Sequence, residues 1–395
     1  MVISSARAEN NENNSYRFDY KTAVLTKNWF NGGYEVEYQF KEDGVIAKLG
    51  KISNKLFTIP QAENGIERVG KVAIGKYVKN GFKILKQLDI SEKNISININ
   101  PGETLFYWYL EGKGTAVDDK YIFNWTSLFK NRILTSEGIY SVPIAGYDTE
   151  GWFSNPSLYW EYAVLNGYYG GNNVWLRKDL GWAFYYYPQL LCLVYIPLIS
   201  KDGVIYTKPT SSYLKNLYGF GESFYDTRFN TDSADFLVQV GKTVGEPADI
   251  WAARKYQDYF LKHAAKYHHT IGSGLLIADY SWNQKPSVIT HASLNHNLAE
   301  INFLLRLGDS NGISLAKQIL EAIKGGTYQW ISPEKDLYYA YYDHNDYHGK
   351  DYKILTLRDL KITKQLLSNY SWGNVYLPAI EYLINIKSQY ISRGG

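Results

Sequence analysis

Histidines and tyrosines gathered late in the chain are the residues whose types can do chemistry. All seven histidines (His263, His268, His269, His291, His296, His344 and His348) lie beyond residue 260 of 395. Three tyrosine sites run among them: Asp279-Tyr280, the stretch from Leu337 to Tyr342, and Asp351-Tyr352. Imidazole and phenol are both proton-transfer groups. A phenol has an ordinary pKa of about 10, so it serves as a base at neutral pH only where positive charge pulls that value down. Imidazole also ligates metals. His344 and His348 are four apart, but their Asn/Asp/Tyr context fixes no helix face, and neither a metal nor another cofactor is expected. His263 and His268 read as plain surface histidines. Glycoside hydrolysis would need two carboxylates flanking a cleft. Glu161, Asp232, Asp235 and Asp279 are available for it, with no pairing legible. The sequence holds no glycine-rich phosphate loop, nucleophile elbow or zinc-protease motif.

Helices must position these groups. Leu294, Leu298, Ile301 and Leu305 form one helical stripe, and Leu315, Ile319 and Ile323 form the next. Asp309-Ser310-Asn311-Gly312 separates the two, and Gly325-Gly326 ends the second. Ile250 to His263 predicts an earlier helix, while Leu357–Leu367 and Ala379–Lys387 predict a later pair. Helix pairs joined by Tyr- and Gly-rich loops suggest an α/α toroid, although no repeat is visible in the sequence. Between Tyr16 and Ile144 the period is two instead, as in Tyr34-Glu35-Val36-Glu37-Tyr38-Gln39-Phe40, with Asn31-Gly32-Gly33 as a hairpin turn. Similar short runs are Lys55–Pro60, Lys71–Val78, Phe82–Ile90, Ile95–Ile99 and Thr104–Leu110. The expected fold class is α+β multidomain: an N-terminal antiparallel β domain (16–145) followed by a C-terminal α/α toroid-like helical domain (146–395).

Composition narrows the function. Aromatic residues make up 16%, with 37 Tyr and 11 Trp. Such rings pair an apolar face with a polar edge and suit sugar rings. Coding bias toward Asn, Lys and Tyr is the competing explanation. A net charge of +3 is too balanced for a nucleic-acid binder, but it leaves room for a local basic cleft toward an acidic glycan. The single cysteine, Cys192, permits no intramolecular disulfide. Ala6-Arg7-Ala8 has the form of a signal-peptidase site. Residues 1–15 therefore read as a signal-peptide remnant or disordered leader, with the mature chain starting at Glu9 and a secreted or cell-surface location. Gly181–Ser200 carries no charge but is interrupted by Pro188 and Pro197, so it reads as buried core and not as a membrane span. The chain is compatible with a homodimer.

From Asp279 to Leu367, an acidic-Tyr pair is followed by a Pro-containing loop and by Leu294-Asn295 opening a helix. A second helix, a Tyr-containing hairpin and then Asp351-Tyr352 before a final helix complete the order. This order resembles the C-terminal region of the D-glucuronyl C5-epimerase family, which also joins a β-rich region to a helical domain. The resemblance implies catalytic roles for Tyr280 with its neighbour Asp279, for Tyr338 or Tyr339, and for Tyr352. It also implies an anionic polysaccharide as substrate. The loop after Tyr280 is longer than the family's, Tyr338-Tyr339-Ala340 stands where the family has Tyr-Asp-Leu, and Lys353-Ile354-Leu355 replaces a polar run. Abstracting a uronate C5 proton requires the sugar carboxylate to be neutralised, for which Arg358, Lys353 or a protonated histidine is suited. His291, Asn295, His296 and Trp282 join Arg358 as candidate substrate contacts. C5-epimerase, polysaccharide lyase, toroid glycoside hydrolase and non-catalytic glycan-binding protein all remain open at this point.

Overall fold

The computed structural model describes residues 15–155 and 174–395. The expected leader with Ala6-Arg7-Ala8, and Glu161, lie outside the described residues, while Ser15 already opens the first strand. The chain forms two compact units. The first reaches Leu198 and adds Lys208–Tyr213 and Val240–Asp249; the second holds the remainder, to Gly395. The first unit thus runs well past residue 146, where the change of sequence period set the expected boundary.

In the first unit the alternating runs form β1 (Ser15–Asp19), β2 (Ala23–Phe30), β3 (Gly33–Phe40), β4 (Ile46–Ser53), β5 (Leu56–Ile59), β6 (Ile66–Val78), β7 (Gly81–Ile90), β8 (Ile95–Asn98) and β9 (Thr104–Lys113). One antiparallel sheet is ordered β1-β2-β3-β4-β9-β6-β7, and β5 pairs with β8 separately. The β2–β3 turn is Asn31-Gly32, with Gly32 at φ 88°, a left-handed conformation that glycine adopts without strain. Period two gives the sheet two apolar faces. Ile52, Val72, Leu105 and Tyr107 pack with Phe57 and Ile59 of β5. The opposite face carries Trp108. Its ring lies 5.0 Å from Phe129, at the end of α1 (Ile122–Leu128), and 5.2 Å from Tyr187 of α2 (Trp182–Ser200). The charge-free run is therefore α2, long and apolar enough to cross a membrane by length and composition, with 83% of its apolar window buried inside the structure. Hairpin β10 (Arg132–Thr135)–β11 (Gly138–Ser141), with β12 (Phe153–Asn155), completes this unit.

Helix α3 (Ser212–Tyr218) leads into the second unit. Three helical hairpins follow: α4 (Thr227–Val244) with α5 (Pro247–Lys266), α6 (Leu294–Leu307) with α7 (Ser310–Gly325), and α8 (Leu355–Leu367) with α9 (Leu377–Ser392). Asp309 is the N-cap of α7, so the expected four-residue break is shorter: Ser310, Asn311 and Gly312 already belong to the helix. The unit is less purely helical than its sequence period suggested. Short strands precede α4, α6 and α8: β13 (Tyr225–Asp226), β16 (Tyr280–Ser281), β17 (Ala292–Ser293), β18 (Tyr338–Asp343) and β19 (Asp346–Lys350). β13 pairs with β16, and β17 pairs with β18, which pairs with β19. These pairings bring the N-terminal ends of the three helices together. A further hairpin, β14 (His268–Ile271)–β15 (Gly274–Ile277), packs on α7, where a Cβ on Gly274 would come within 2.2 Å of the Ala322 nitrogen.

Polar contacts tie the three helices. Arg228 of α4 donates to the Asn295 carbonyl of α6 at 2.7 Å and to Asp359 of α8 at 2.6 Å. Asn302 of α6 donates to the Asp359 carbonyl and accepts from the Thr363 hydroxyl. Arg306 of α6 pairs with Asp235 of α4 at 2.7 Å. From α9, Lys387, fully buried, reaches Asp336 and Asp351, each at 2.8 Å, and so anchors the segments leading into β18 and α8. Lys387→Met removes the only cation of that buried trio and should cost about 3–5 kcal/mol. The unfolding midpoint of the second unit should fall by roughly 10 °C, with part recovered when Asp336→Asn and Asp351→Asn are added. A midpoint within about 2 °C of the parent in a thermal melt followed by circular dichroism would show that the trio does not hold this region.

Candidate active site

Each of the three converging helix ends has an aspartate. Asp226 caps α4, its Oδ1 accepting from the Phe229 N–H at 3.0 Å. Asp279 reaches α6 from the bend between β15 and β16 and accepts from the Ser293 N–H at 2.8 Å. Asp351 accepts from the Thr356 hydroxyl of α8 at 2.6 Å. Helix N-termini favour negative charge, which is one physical reason for acidic residues here. Two of the three, Asp279 and Asp351, are followed directly by tyrosine, so the caps that fix the helices also place phenol rings at the common end.

Asp279 has no solvent exposure, and histidines lie against it: His291 Nε2 is 3.3 Å from Oδ2 and His296 Nδ1 is 3.7 Å from Oδ1. His291 Nδ1 is 2.8 Å from the hydroxyl of Tyr218, and that oxygen also accepts the His291 backbone N–H at 3.0 Å. With Nδ1 accepting the Tyr218 O–H, the ring proton sits on Nε2, at ion-pair distance from Asp279 but not in a formed hydrogen bond to it. The result is an Asp279–His291–Tyr218 relay in the arrangement by which an aspartate and a histidine activate a hydroxyl. His296 shares a hydrogen bond of 2.8 Å with Thr227.

Rings surround the relay. The Tyr280 centroid is 5.6 Å from those of both His291 and His296. Tyr339 lies 5.6 Å from His291 and 6.0 Å from Tyr352. Tyr342 stacks on His291 at 5.0 Å and on His348 at 3.8 Å. Tyr352 is 53% exposed, and Tyr218, Tyr280, Tyr339 and Tyr342 are half-buried, so the histidine–aspartate pair sits beneath a partly open layer of phenols.

Electrostatics separates the acids. Burial pushes the Asp226 carboxyl up to about 8, against the Phe229 N–H that lowers it and with Asp279 adding to the rise. Asp226 therefore holds a proton at neutral pH. Burial also works to raise Asp279, but the His296 ring, the His291 contact and the Ser293 hydrogen bond outweigh it and leave this carboxyl below its ordinary value. Burial raises Tyr218 to about 12 despite the His291 N–H, and raises Tyr352 with the help of Asp226. The sequence-based requirement that a tyrosine base be lowered by positive charge is thus met at neither: Tyr352 keeps its proton and is suited to donating one, and Tyr218 can accept a proton only as its own passes to His291.

The structure brings together Asp279, Tyr280, His291, His296, Tyr339 and Tyr352. Tyr338, half-buried at the start of β18, pairs with Lys350 of β19 and donates its backbone N–H to the Trp330 carbonyl at 2.8 Å. Asn295, 2% exposed, lies below the ring layer with its carbonyl on Arg228. Trp282 stands beside Phe220 at 5.6 Å and donates to the Glu222 carbonyl. Arg358, half-buried on the first turn of α8, touches Asp359 at 3.1 Å, and Lys353 is exposed. Asp232 is paired with Arg228 and Asp235 with Arg306, so neither stands free as a hydrolytic carboxylate. His263 is not on the surface: it is 4% exposed and bonded to the Ala278 carbonyl at 2.9 Å, because the β15–β16 segment needs a partner there. His268 is half-buried against the Ala264 carbonyl. His344 and His348 both lie exposed on the β18–β19 hairpin, and no metal-holding group occurs among the described residues. Sequence reasoning missed Tyr218, Arg228 and Asp226. None has a local motif: Tyr218 and Arg228 join the site only through His291 and Asp359, far along the chain, and Asp226 through its strand pairing with Tyr280.

No family model and no curated protein matches the chain. Among solved structures, a D-mannose isomerase is similar over 52% of this chain and 53% of its own, at 15% identity and a TM-score of 0.36. This chain thus spans about half the length of that isomerase. A family 76 glycoside hydrolase from a bovine Bacteroides thetaiotaomicron strain is similar over 90% and 75%, at 10% identity and a TM-score of 0.47. A rhamnosidase from Klebsiella oxytoca with rhamnose bound is similar over 92% and 78%, at 10% identity and a TM-score of 0.30.

Two histidines of this unit are held neutral. Burial lowers His263 and His296 from 6.5 to about 4, with Ala278 and Asp279 respectively opposing the fall. The unfolded chain therefore binds more protons between those values, and this contribution to stability is lost as pH falls through the window. His263→Gln keeps a donor for the Ala278 carbonyl and removes one titration. Its stability deficit relative to the parent, read from urea unfolding, should narrow by about 2 kcal/mol between pH 7 and pH 5. A deficit that stays constant would show that His263 titrates normally in the folded state.

Proposed function

We propose that this protein is a glycan-modifying enzyme that moves the C5 proton of a uronate residue, as a uronyl C5-epimerase does. The observation carrying this reading is the Asp279–His291–Tyr218 relay, with a second phenol that keeps its proton, Tyr352, reached through the intervening Tyr339 ring. Tyr218 Oη takes the C5 proton while its own passes to His291 Nδ1, and Asp279 stabilises the imidazolium. The His291 N–H already aimed at that oxygen steadies charge developing on it. The electron pair left at C5 spreads into the sugar carboxylate, beside which Arg358 supplies positive charge. Tyr352 then returns a proton from the other side, and Tyr280 and Tyr339 supply ring faces and hydroxyls for the sugar. If the intermediate instead expels the C4 oxygen, the product is an unsaturated uronate and the enzyme a lyase. Three helical hairpins opening at one β-lined end support an α/α toroid-like framework for this chemistry.

A second reading has its own observation. Asp226 ends β13 and Asp279 immediately precedes its partner strand β16, the Asp279 carbonyl accepting the Thr227 N–H at 2.9 Å; one carboxyl is protonated at neutral pH and the other ionised. A pair with separated pKa values is what glycoside hydrolysis uses.

Incubation with glucuronate-, mannuronate- and galacturonate-containing polymers in D2O separates the outcomes. Deuterium at C5 without chain cleavage marks epimerisation, unsaturated-uronate absorbance marks elimination, and new reducing ends alone mark hydrolysis. Tyr218→Phe and Tyr352→Phe keep the rings and should lower turnover by about two to four orders of magnitude, while Tyr280→Phe, which removes one hydrogen bond to the sugar, should cost about tenfold and Tyr338→Phe stays near parent activity. Loss on Asp226→Asn with full activity in the Tyr218 and Tyr352 variants would transfer the assignment to the hydrolase.

A further inference from the structure

The first unit has an aromatic surface that its core does not use. Trp29, Tyr34, Lys51 and Phe106 are cross-strand partners in one row over β2, β3, β4 and β9. On the same face Tyr77 of β6 meets Phe106 edge-on at 6.3 Å. Farther along the strands this face is covered by α1 and α2. At the row itself Trp29 is 45% and Tyr77 48% exposed. The β10–β11 turn lends polar groups: Ser136 bonds the Tyr34 hydroxyl at 2.9 Å, and Glu137 takes the Tyr77 hydroxyl at 3.1 Å and Lys51 at 2.7 Å. Exposed ring faces thus alternate with fixed hydroxyl and carboxylate edges, the pairing that a pyranose presents in reverse.

Lys27 decides the kind of sugar. Its Nζ lies 4.2 Å from the Tyr34 centroid and 5.0 Å from that of Trp29. Among the described residues it forms no ion pair, whereas Lys51 is already matched by Glu137. Burial lowers the Lys27 pKa against the pull of Glu137, as expected of a cation short of both water and counter-charge. We infer that the surface formed by Lys27, Trp29, Tyr34 and Tyr77 binds a segment of carboxylated polysaccharide, with a sugar face on Trp29 or Tyr77 and a carboxylate on Lys27. This surface shares only its ligand class with the proposed function and needs no residue of the Tyr218 relay.

The test is affinity electrophoresis of the whole chain in gels containing hyaluronan, alginate or polygalacturonate, each beside its carboxyl-reduced form. The parent should be retarded by at least one of the three, and less by the reduced form. Trp29→Ala should weaken that retardation about tenfold and Lys27→Gln about threefold to fivefold. Deuterium uptake into a short oligosaccharide should be unchanged in both, which separates this surface from the relay. Lys27→Gln, an isosteric change, decides the matter if Trp29→Ala fails to fold. The inference is overturned if the parent binds none of the three, if both folded variants bind as the parent does, or if Lys27→Gln affects the reduced polymer equally. Tyr218→Phe abolishing turnover while leaving retardation intact is the expected companion result.

Discussion

The second unit depends on one buried guanidinium. Arg228, 6% exposed, bonds Asp232 on its own helix, Asp359 on α8 and the Asn295 carbonyl on α6. A buried ion pair gains little net energy over apolar packing, but removing one partner strands the others at a cost of several kcal/mol. Its value here is geometric. The guanidinium's rigid fork fixes the spacing of three helix ends at once, and the rings of Tyr280, Tyr339 and Tyr342 hang from strands that precede those helices. Leucine packing alone would tolerate a slide along the helix axis; a bridging arginine does not.

The same cation sets the charge states. Asp359 and Asp232 take up its hydrogen bonds, which leaves little compensation for the other buried acids. Burial accordingly pushes Asp226 up to about 8 and Glu300 well above its ordinary value. Asp279 escapes because it is served locally by the Ser293 N–H at a helix start and by two imidazoles. A group of acids around too few cations thus resolves into protonated and ionised members without any metal in the argument. That division makes proton transfer conceivable at neutral pH, because a donor and an acceptor coexist a few ångströms apart.

Legibility followed burial chemistry. The stripes at 294–305 and 315–323 were readable because apolar side chains face the core at helical spacing, and α6 and α7 lie there. Helix α4 was not readable. Its first two turns bury Asn230, Thr231 and Ser233, which bond Ile205, Tyr256 and Phe229 respectively, so the apolar stripe begins only at Ala234, Leu237 and Val238 and is too short to read. Tyr280 and Tyr352 were found because each follows an aspartate, and His291 because it falls in the histidine-bearing tract leading to α6. Tyr218 lay in an unremarkable stretch, and only folding places it on His291. His263 was misjudged for a related reason: its ring satisfies the Ala278 carbonyl in the interior, a partner no local pattern announces.

The high aromatic content, ambiguous as composition, divides once the rings have positions. Trp108, Trp125, Phe129, Phe184 and Tyr187 form a dry cluster within the first unit, with centroid separations from 5.0 to 6.5 Å. Those rings fill volume, and Leu or Ile would serve there with repacking. Others differ in kind. Tyr218, Tyr280, Tyr339 and Tyr352 meet imidazoles or a second phenol, and Trp29, Tyr34 and Tyr77 meet ammonium groups, each set with at least one ring open to solvent. Coding bias would raise the number of tyrosines without regard to partner. It gives no reason for the partly exposed ones to collect beside titratable groups at two places, whereas a ligand with apolar faces, hydroxyl edges and a negative charge does.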